Sequence, residues 1–255
     1  MGGTEWVQQV PLRVVPEHIT LGIADLGFAG RYLPAGQGIE PIAGDFYDLL
    51  ALGPDLVAIV VGDVAGHGPH ALARMQQLRA AARAYAIEMP GPAGVVARLD
   101  RFCSRLDPES IATLWYGEYQ PSTGILTYAG AGHPPPVMAL ADGSTRVLQA
   151  ADAPPLGAGI PTAEVVVHAD VLPVGAVLVA YSDGLVERHD GDWEVQLAML
   201  QEVVAAACHP TRIPDVSAIA ARILETLIPS PEAAEDDVCL LVVRREVEAR
   251  RVIQV

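Results

Sequence analysis

Apolar residues fall along this chain in two rhythms. From Leu56 to Val61 six of them run without a break, most β-branched, and the run ends on Gly62-Asp63 before a Gly66-His67-Gly68 turn. A short continuous apolar run bounded by turn residues predicts a buried strand. A helical pattern starts at Pro69, so Asp63 sits at a strand end facing a glycine-rich turn. Upstream, Leu21 to Leu33 has strand character, ending at Pro34. A second strand begins in Ile42-Ala43-Gly44-Asp45-Phe46-Tyr47-Asp48 and turns at Gly53-Pro54-Asp55 into the Leu56 strand. The pair predicts a β-hairpin that places Asp45 and Asp63 in neighbouring strands.

After Pro69 the period changes. Ala71, Met75, Leu78, Ala82 and Tyr85 recur at four-three spacing as far as Pro90-Gly91-Pro92, and Val95, Leu99, Phe102 and Leu106 then repeat it. This predicts an antiparallel helix pair. Strands return as Ile111–Tyr119 and Ile125–Tyr128 around the turn Pro121–Gly124, then as Pro135–Leu140 and Thr145–Leu148 around Asp142-Gly143. Further strands are predicted near Glu164–His168 and over Ala176–Tyr181, the latter running into Ser182-Asp183-Gly184. Helical stretches over Trp193–Ala207 and Ile213–Leu227 precede acidic Glu232–Asp237 and a last strand, Val238–Val243. Thr4–Val10 reads as a short helix cut off by Pro11 and Pro16. Hairpin blocks separated by helix pairs predict an α+β layered domain and disfavour a doubly wound parallel sheet.

Composition narrows the function classes. The 255 residues suit one large domain or two small ones, and 51% apolar content fills a sizeable core. A net charge of −15 argues against nucleic acid and suits divalent cations and basic or neutral protein surfaces. Cys103, Cys208 and Cys239 lie far apart without metal-ligand spacing, as in a reduced cytosolic protein. No secretory leader is evident, and the longest apolar run, Val171–Ala180, is broken by Pro173 and Gly175 and is too short to span a bilayer. A cytoplasmic protein with no membrane partner is expected.

Aspartate closes an apolar strand, or opens one, at Asp45, Asp63, Asp183 and Asp236-Asp237, and three of these places adjoin glycine. Such convergence suits hard cations, Mg²⁺ or Mn²⁺, which take carboxylate, carbonyl and water oxygens. Two such ions about 3.5–4 Å apart bind a phosphoryl oxygen and activate an attacking water. The alternative, turn aspartates bonded to backbone N–H groups, stays open on spacing alone. His67 is a candidate proton donor or a turn residue; Arg31 is a candidate phosphate contact or half of a surface ion pair. Cys239 and Arg245 have the spacing of a cysteine-dependent phosphatase, but the residues between them read as a strand, whereas that chemistry needs a glycine-rich anion cradle opening a helix.

Five blocks in order carry a resemblance. Gly44-Asp45-Phe46-Tyr47-Asp48, Gly62-Asp63-Val64-Ala65-Gly66-His67-Gly68, Ala131-Gly132-His133-Pro134-Pro135-Pro136, Tyr181-Ser182-Asp183-Gly184-Leu185 and Asp236-Asp237-Val238-Cys239-Leu240-Leu241-Val242 resemble the SpoIIE/RsbU branch of metal-dependent protein phosphatases, relatives of protein phosphatase 2C. The resemblance implies a four-layer αββα sandwich, two antiparallel sheets flanked by antiparallel helices, over residues 21–245, between an extension at 1–20 and a tail at 246–255. It also implies two Mn²⁺ or Mg²⁺ ions and hydrolysis of phosphoserine or phosphothreonine on a protein. By position, Asp63 would bridge both ions, the Val64 carbonyl would add an oxygen, Asp183 and Asp236 would hold one ion and Asp45 the other, with Asp237 an alternative to Asp236. His133 is expected to be a structural turn residue. Ala43, Ala65 and Cys239 depart from the family's usual glycine, serine and threonine, and none is a ligand. The implied substrate is a phosphorylated STAS-domain anti-sigma-factor antagonist in a stress or developmental circuit. A homodimer or an upstream sensor domain would act through the helices between His70 and Leu106. A phosphatase fold that binds a phosphoprotein without turnover is the alternative, and a two-metal nucleotide hydrolase a more distant one.

Overall fold

A computed structural model of the chain describes residues 25–33, 44–106, 111–149, 152–160, 164–187, 191–208, 215–230 and 236–246. Its elements run β1 (Leu26–Leu33), β2 (Phe46–Gly53), β3 (Leu56–Val64), α1 (Gly68–Glu88), α2 (Pro92–Leu106), β4 (Ala112–Gln120), β5 (Ile125–Ala131), β6 (Val137–Ala139), β7 (Thr145–Val147), β8 (His168–Val171), β9 (Val177–Tyr181), a 3-10 turn (Asp183–Leu185), α3 (Trp193–Ala207), α4 (Val216–Leu227) and β10 (Val238–Arg245). The strands form two five-stranded sheets, ordered β1-β10-β9-β6-β7 and β2-β3-β4-β5-β8. Their ladders are antiparallel.

Both faces of each sheet are covered, which explains why the central strands read as unbroken apolar runs rather than alternating ones. In β10, Val238, Leu240 and Val242 pack with α3 and α4, while Cys239, Leu241 and Val243 fill the layer between the sheets. In β3, Val57, Ile59 and Val61 enter that same middle layer, and Ala58 and Val60 pack beneath α1 and α2. Helices, sheet, sheet and helices therefore stack as the expected αββα sandwich. Trp115, Tyr119 and Tyr128 supply the bulk of its centre, where fully burying an aromatic side chain contributes on the order of 1.5–3 kcal/mol.

The differences from expectation are local. The strand expected near Glu164–His168 is β8, His168–Val171, four residues later. Only the stretch of β5 from Ile125 to Tyr128 offers it an edge; beyond that, the Ala153 segment bonds to Gly130 and Gly132 instead. In α1 the small Ala86 takes the sheet-facing place and Tyr85 is half-buried. In α2 the buried residues lie in the first two turns, so Leu106 is 51% exposed. β2 begins at Phe46, leaving Asp45 as the residue just before it, and β10 runs on to Arg245. The expected Thr4–Val10 helix, residues 21–24 of the first expected strand and the start of the Ile213 helix lie outside the described residues. Among the described residues no helix is long and apolar enough to cross a membrane.

Candidate metal centre

Antiparallel pairing brings five chain segments to one end of the middle layer. Phe46 pairs with Gly62, which sets Asp45 beside Asp63. Leu240 pairs with Tyr181 and Leu33 with Val238, so the end of β9, the start of β10 and the end of β1 meet at one end of the other sheet. Strand alternation then aims the side chains. Asp45 is in phase with Tyr47 and Leu49, Asp63 with Ile59 and Val61, Ser182 with Leu178 and Ala180, all residues of the inter-sheet core.

Two glycines allow the close approach. A Cβ on Gly44 would collide with the Val64 carbonyl oxygen and come within 2.9 Å of Asp63 Oδ1. The Val64 N–H in turn donates to the Gly44 carbonyl at 3.2 Å. A Cβ on Gly184 would collide with the Asp237 carbonyl and lie 3.3 Å from the Asp236 carbonyl carbon, so the Asp183 turn rests on the Asp236-Asp237 turn. Asp45 itself is 2% exposed. Its Oδ2 accepts a 2.6 Å hydrogen bond from Ser182 Oγ, which accepts one from the Cys239 N–H at 2.8 Å.

The electrostatics are those of crowded acids. Burial first, then the charge of Asp63, raises the Asp45 carboxyl well above the usual range. Burial and the charges of Asp183 and Asp236 push Asp63 up to about 7, against a hydrogen bond from Asp45 that favours its ionised form. Asp183 is raised by burial and by Asp236. The strongest charge acting on each is a neighbouring carboxylate of the same edge: Asp63 on Asp45, Asp183 on Asp63 and Asp236 on Asp183. Buried like charges at a sheet end hold protons or a cation, because ionised carboxylates at close range repel and lose hydration. Among the described residues no three His, Cys, Asp or Glu side chains are already drawn into a coordination cluster; the carboxylates share an edge, with Asp45 and Asp63 hydrogen-bonded. The donor set is nevertheless all oxygen, with a carbonyl approaching through Gly44, and it fits a hard divalent cation.

The remaining candidates fall around this edge. His67 is exposed on the turn entering α1, between Gly66 (φ 105°) and Gly68 (φ 84°), and makes no side-chain cap to the helix. Arg31 directs its guanidinium to the carbonyls of Gly30 at 2.9 Å and of Ser217 on α4 at 3.4 Å. His133 is buried, with Nδ1 2.7 Å from Thr113 Oγ1, and burial lowers its pKa to about 3, a neutral structural imidazole. Thr113 lies opposite Asp63 in the ladder. Burial drives the Cys239 thiol far above its usual range, and Arg245, about 20 Å along the strand, is engaged with Asp25 and Leu172; a thiol nucleophile is excluded. Sequence reasoning missed Ser182, whose role appears only when the two sheets face each other. It also missed Tyr32, opposite Cys239, whose hydroxyl is raised by burial and then by Asp237 and Asp45.

Comparison with known proteins agrees with this architecture. The family model for stage II sporulation protein E (SpoIIE) matches residues 53–246. Protein IcfG of Synechocystis sp. (strain ATCC 27184 / PCC 6803 / Kazusa) is 27% identical over 175 residues, covering 57% of this chain and 27% of IcfG. The structure of the RsbU and RsbW domains of Rv1364c from Mycobacterium tuberculosis is 33% identical, with a TM-score of 0.77 over 88% of this chain and 61% of that one. The catalytic domain of the serine/threonine protein phosphatase PstP, in complex with 2 manganese ions, shares the fold at 18% identity, with a TM-score of 0.58 over 86% of this chain and 97% of that one. The chain thus spans about a quarter of the curated relative and under two thirds of the Mycobacterium chain. Four acidic strand ends on a two-sheet αββα sandwich and a family match across most of the chain lead to one conclusion: this chain belongs to the SpoIIE family, the SpoIIE/RsbU-type branch of the protein phosphatase 2C-like fold.

Proposed function

We propose that the chain is a metal-dependent serine/threonine phosphatase acting on a phosphorylated regulatory protein. The observation that carries this reading is the convergence of Asp45, Asp63, Asp183, Asp236 and Asp237 on one end of the inter-sheet layer, where burial and the neighbouring acids raise the carboxyls of Asp45, Asp63 and Asp183. Two Mn²⁺ or Mg²⁺ ions would supply polarisation of the phosphoryl group and a water acidic enough to attack phosphorus near neutral pH. Asp63 and the Val64 carbonyl would hold them on one sheet and Asp183 with Asp236 on the other; Asp45 would complete the set, with Asp237 the alternative to Asp236. His67, exposed on the glycine-flanked turn, is the candidate donor of a proton to the departing serine or threonine oxygen. Arg31 reaches a phosphate only by leaving Ser217.

The chain carrying RsbU and RsbW domains supports a partner-switching setting. We assign as substrate a phosphorylated STAS-domain anti-sigma-factor antagonist, in the cytoplasm. Residues 21–245 form the phosphatase unit, 1–20 a linker from an upstream sensor domain or dimer contact, and 246–255 a tail. That input would act through α1, which follows Asp63 directly.

The test is phosphate release from a phosphoserine protein and from an aryl phosphate with Mn²⁺, Mg²⁺ or chelator, comparing wild type with Asp183→Ala. Metal-dependent release that falls at least about 100-fold in the variant supports the enzyme. Folded wild type that binds phosphoprotein but releases nothing with either metal supports the non-hydrolysing module instead.

A further inference from the structure

Ser182 occupies an unusual place. It is fully buried at the end of β9, next to Asp183, and its hydroxyl spans the two sheets. The β10 backbone donates the Cys239 N–H to Oγ at 2.8 Å, and Oγ donates to Asp45 Oδ2 at 2.6 Å on the strand leading into β2. A serine hydroxyl has one proton to give. With the Cys239 amide donating to Oγ, that proton is committed to Asp45. Oδ2 is thereby fixed, and with it the orientation of the carboxyl that stands beside Asp63.

We infer that Ser182 is a positioning residue for metal binding: its hydroxyl aims the Asp45 carboxylate and sets the distance between the ligands of one sheet, Asp45 and Asp63, and those of the other, Asp183 and Asp236. The chemistry is that of an outer-shell hydrogen bond, which orients a ligand without touching the ion. Ser182 differs from an ordinary buried hydroxyl in joining the two halves of the ligand set. A hydrogen bond within one sheet holds only its own strand pair, whereas this one crosses the layer between the sheets.

The fold contains a matched control. Tyr128 Oη donates to Asp170 Oδ2 at 2.8 Å and accepts the Gln149 N–H at 3.1 Å. This is the same donor–acceptor pattern, joining β5, β8 and the segment that follows β7, far from the carboxylate edge and without a candidate metal ligand.

The inference rests on the metal-dependent phosphatase reading, and the experiment separates the two. Mn²⁺ is titrated by calorimetry and by electron paramagnetic resonance into metal-stripped wild type, Ser182→Ala, Ser182→Thr and Tyr128→Phe, with thermal midpoints recorded alongside. Ser182→Ala should weaken Mn²⁺ affinity about 10–100-fold. Ser182→Thr, which keeps the hydroxyl, should stay within a few-fold of wild type. Tyr128→Phe should lower the midpoint while leaving Mn²⁺ affinity unchanged. Wild-type affinity in folded Ser182→Ala, the same loss in folded Ser182→Thr, or an equal loss in Tyr128→Phe overturns the positioning role. Wild type that binds no Mn²⁺ overturns the phosphatase reading itself.

Discussion

Asp45 and Asp48 stand three residues apart at the head of one strand, 2% and 1% exposed, and the fold treats them in opposite ways. Asp48 is in phase with Phe46 and faces α1, where Arg83 Nε at 2.5 Å and Nη2 at 2.9 Å and Arg79 Nε at 3.2 Å bind its two oxygens. The Leu49 N–H adds a fourth donor. Asp45 faces the middle layer, with a serine hydroxyl and other carboxyls around it. A buried carboxylate needs positive charge or a proton. Asp48 finds its charge within the chain and is structural. Asp45 stands among acids, an arrangement that a divalent cation stabilises and an arginine would spoil.

The largest effect that can break this comparison is removal of the compensated acid. Asp48→Ala leaves Arg79, whose side chain is 14% exposed, without that partner and should cost about 3–5 kcal/mol in urea unfolding of the metal-free protein. Arg83, 43% exposed, contributes less because solvent screens it. A loss below about 1 kcal/mol would make the pair an ordinary surface bridge.

Proton linkage sharpens the contrast next. With Asp63 raised to about 7, the folded state holds more protons than the unfolded chain between about pH 4 and 7. Its contribution to stability therefore falls as pH rises through that window. His133, lowered to about 3, has the opposite sign. Its contribution is complete above about pH 6.5 and is lost as pH falls toward 3. In metal-free wild type the two oppose each other. In Asp63→Asn the histidine acts with less opposition, so stability should fall more steeply from pH 6 to 4, by up to about 1.4 kcal/mol per pH unit. Parallel wild-type and variant curves from melts across that range would refute the assignment.

The smallest expected effect has the most telling sign. Asp45→Asn removes a carboxylate from a repelling group and should stabilise the metal-free protein by up to about 1 kcal/mol, while abolishing further stabilisation by Mn²⁺. Destabilisation like that of Asp48→Ala would mean that Asp45 is merely structural.

Much of this was legible in the residue pattern. Strands buried on both faces announce themselves as unbroken apolar runs, so β3, β9 and β10 and the acids that close or open them could be read directly. Trp193–Ala207 matched α3 at both ends. What escaped was relational. Asp48 lies in the same block as Asp45, and only strand phase separates a candidate ligand from a salt bridge. Arg79 and Arg83, one helical turn apart, carry no sign of their partner. Ser182 is a small polar residue at a strand end until the second sheet closes over it. β8 was misplaced because its register depends on how much of the β5 edge the Ala153 segment leaves.

The most direct measurement is the thermal midpoint of metal-stripped protein titrated with Mn²⁺, wild type beside Asp63→Asn. An uncompensated acidic edge built for cations predicts a saturable rise in wild type, approaching about 2.7 kcal/mol of stabilisation at a hundredfold excess over the dissociation constant, and no specific rise in the variant. Equal responses in the two proteins, or none in wild type, would contradict it.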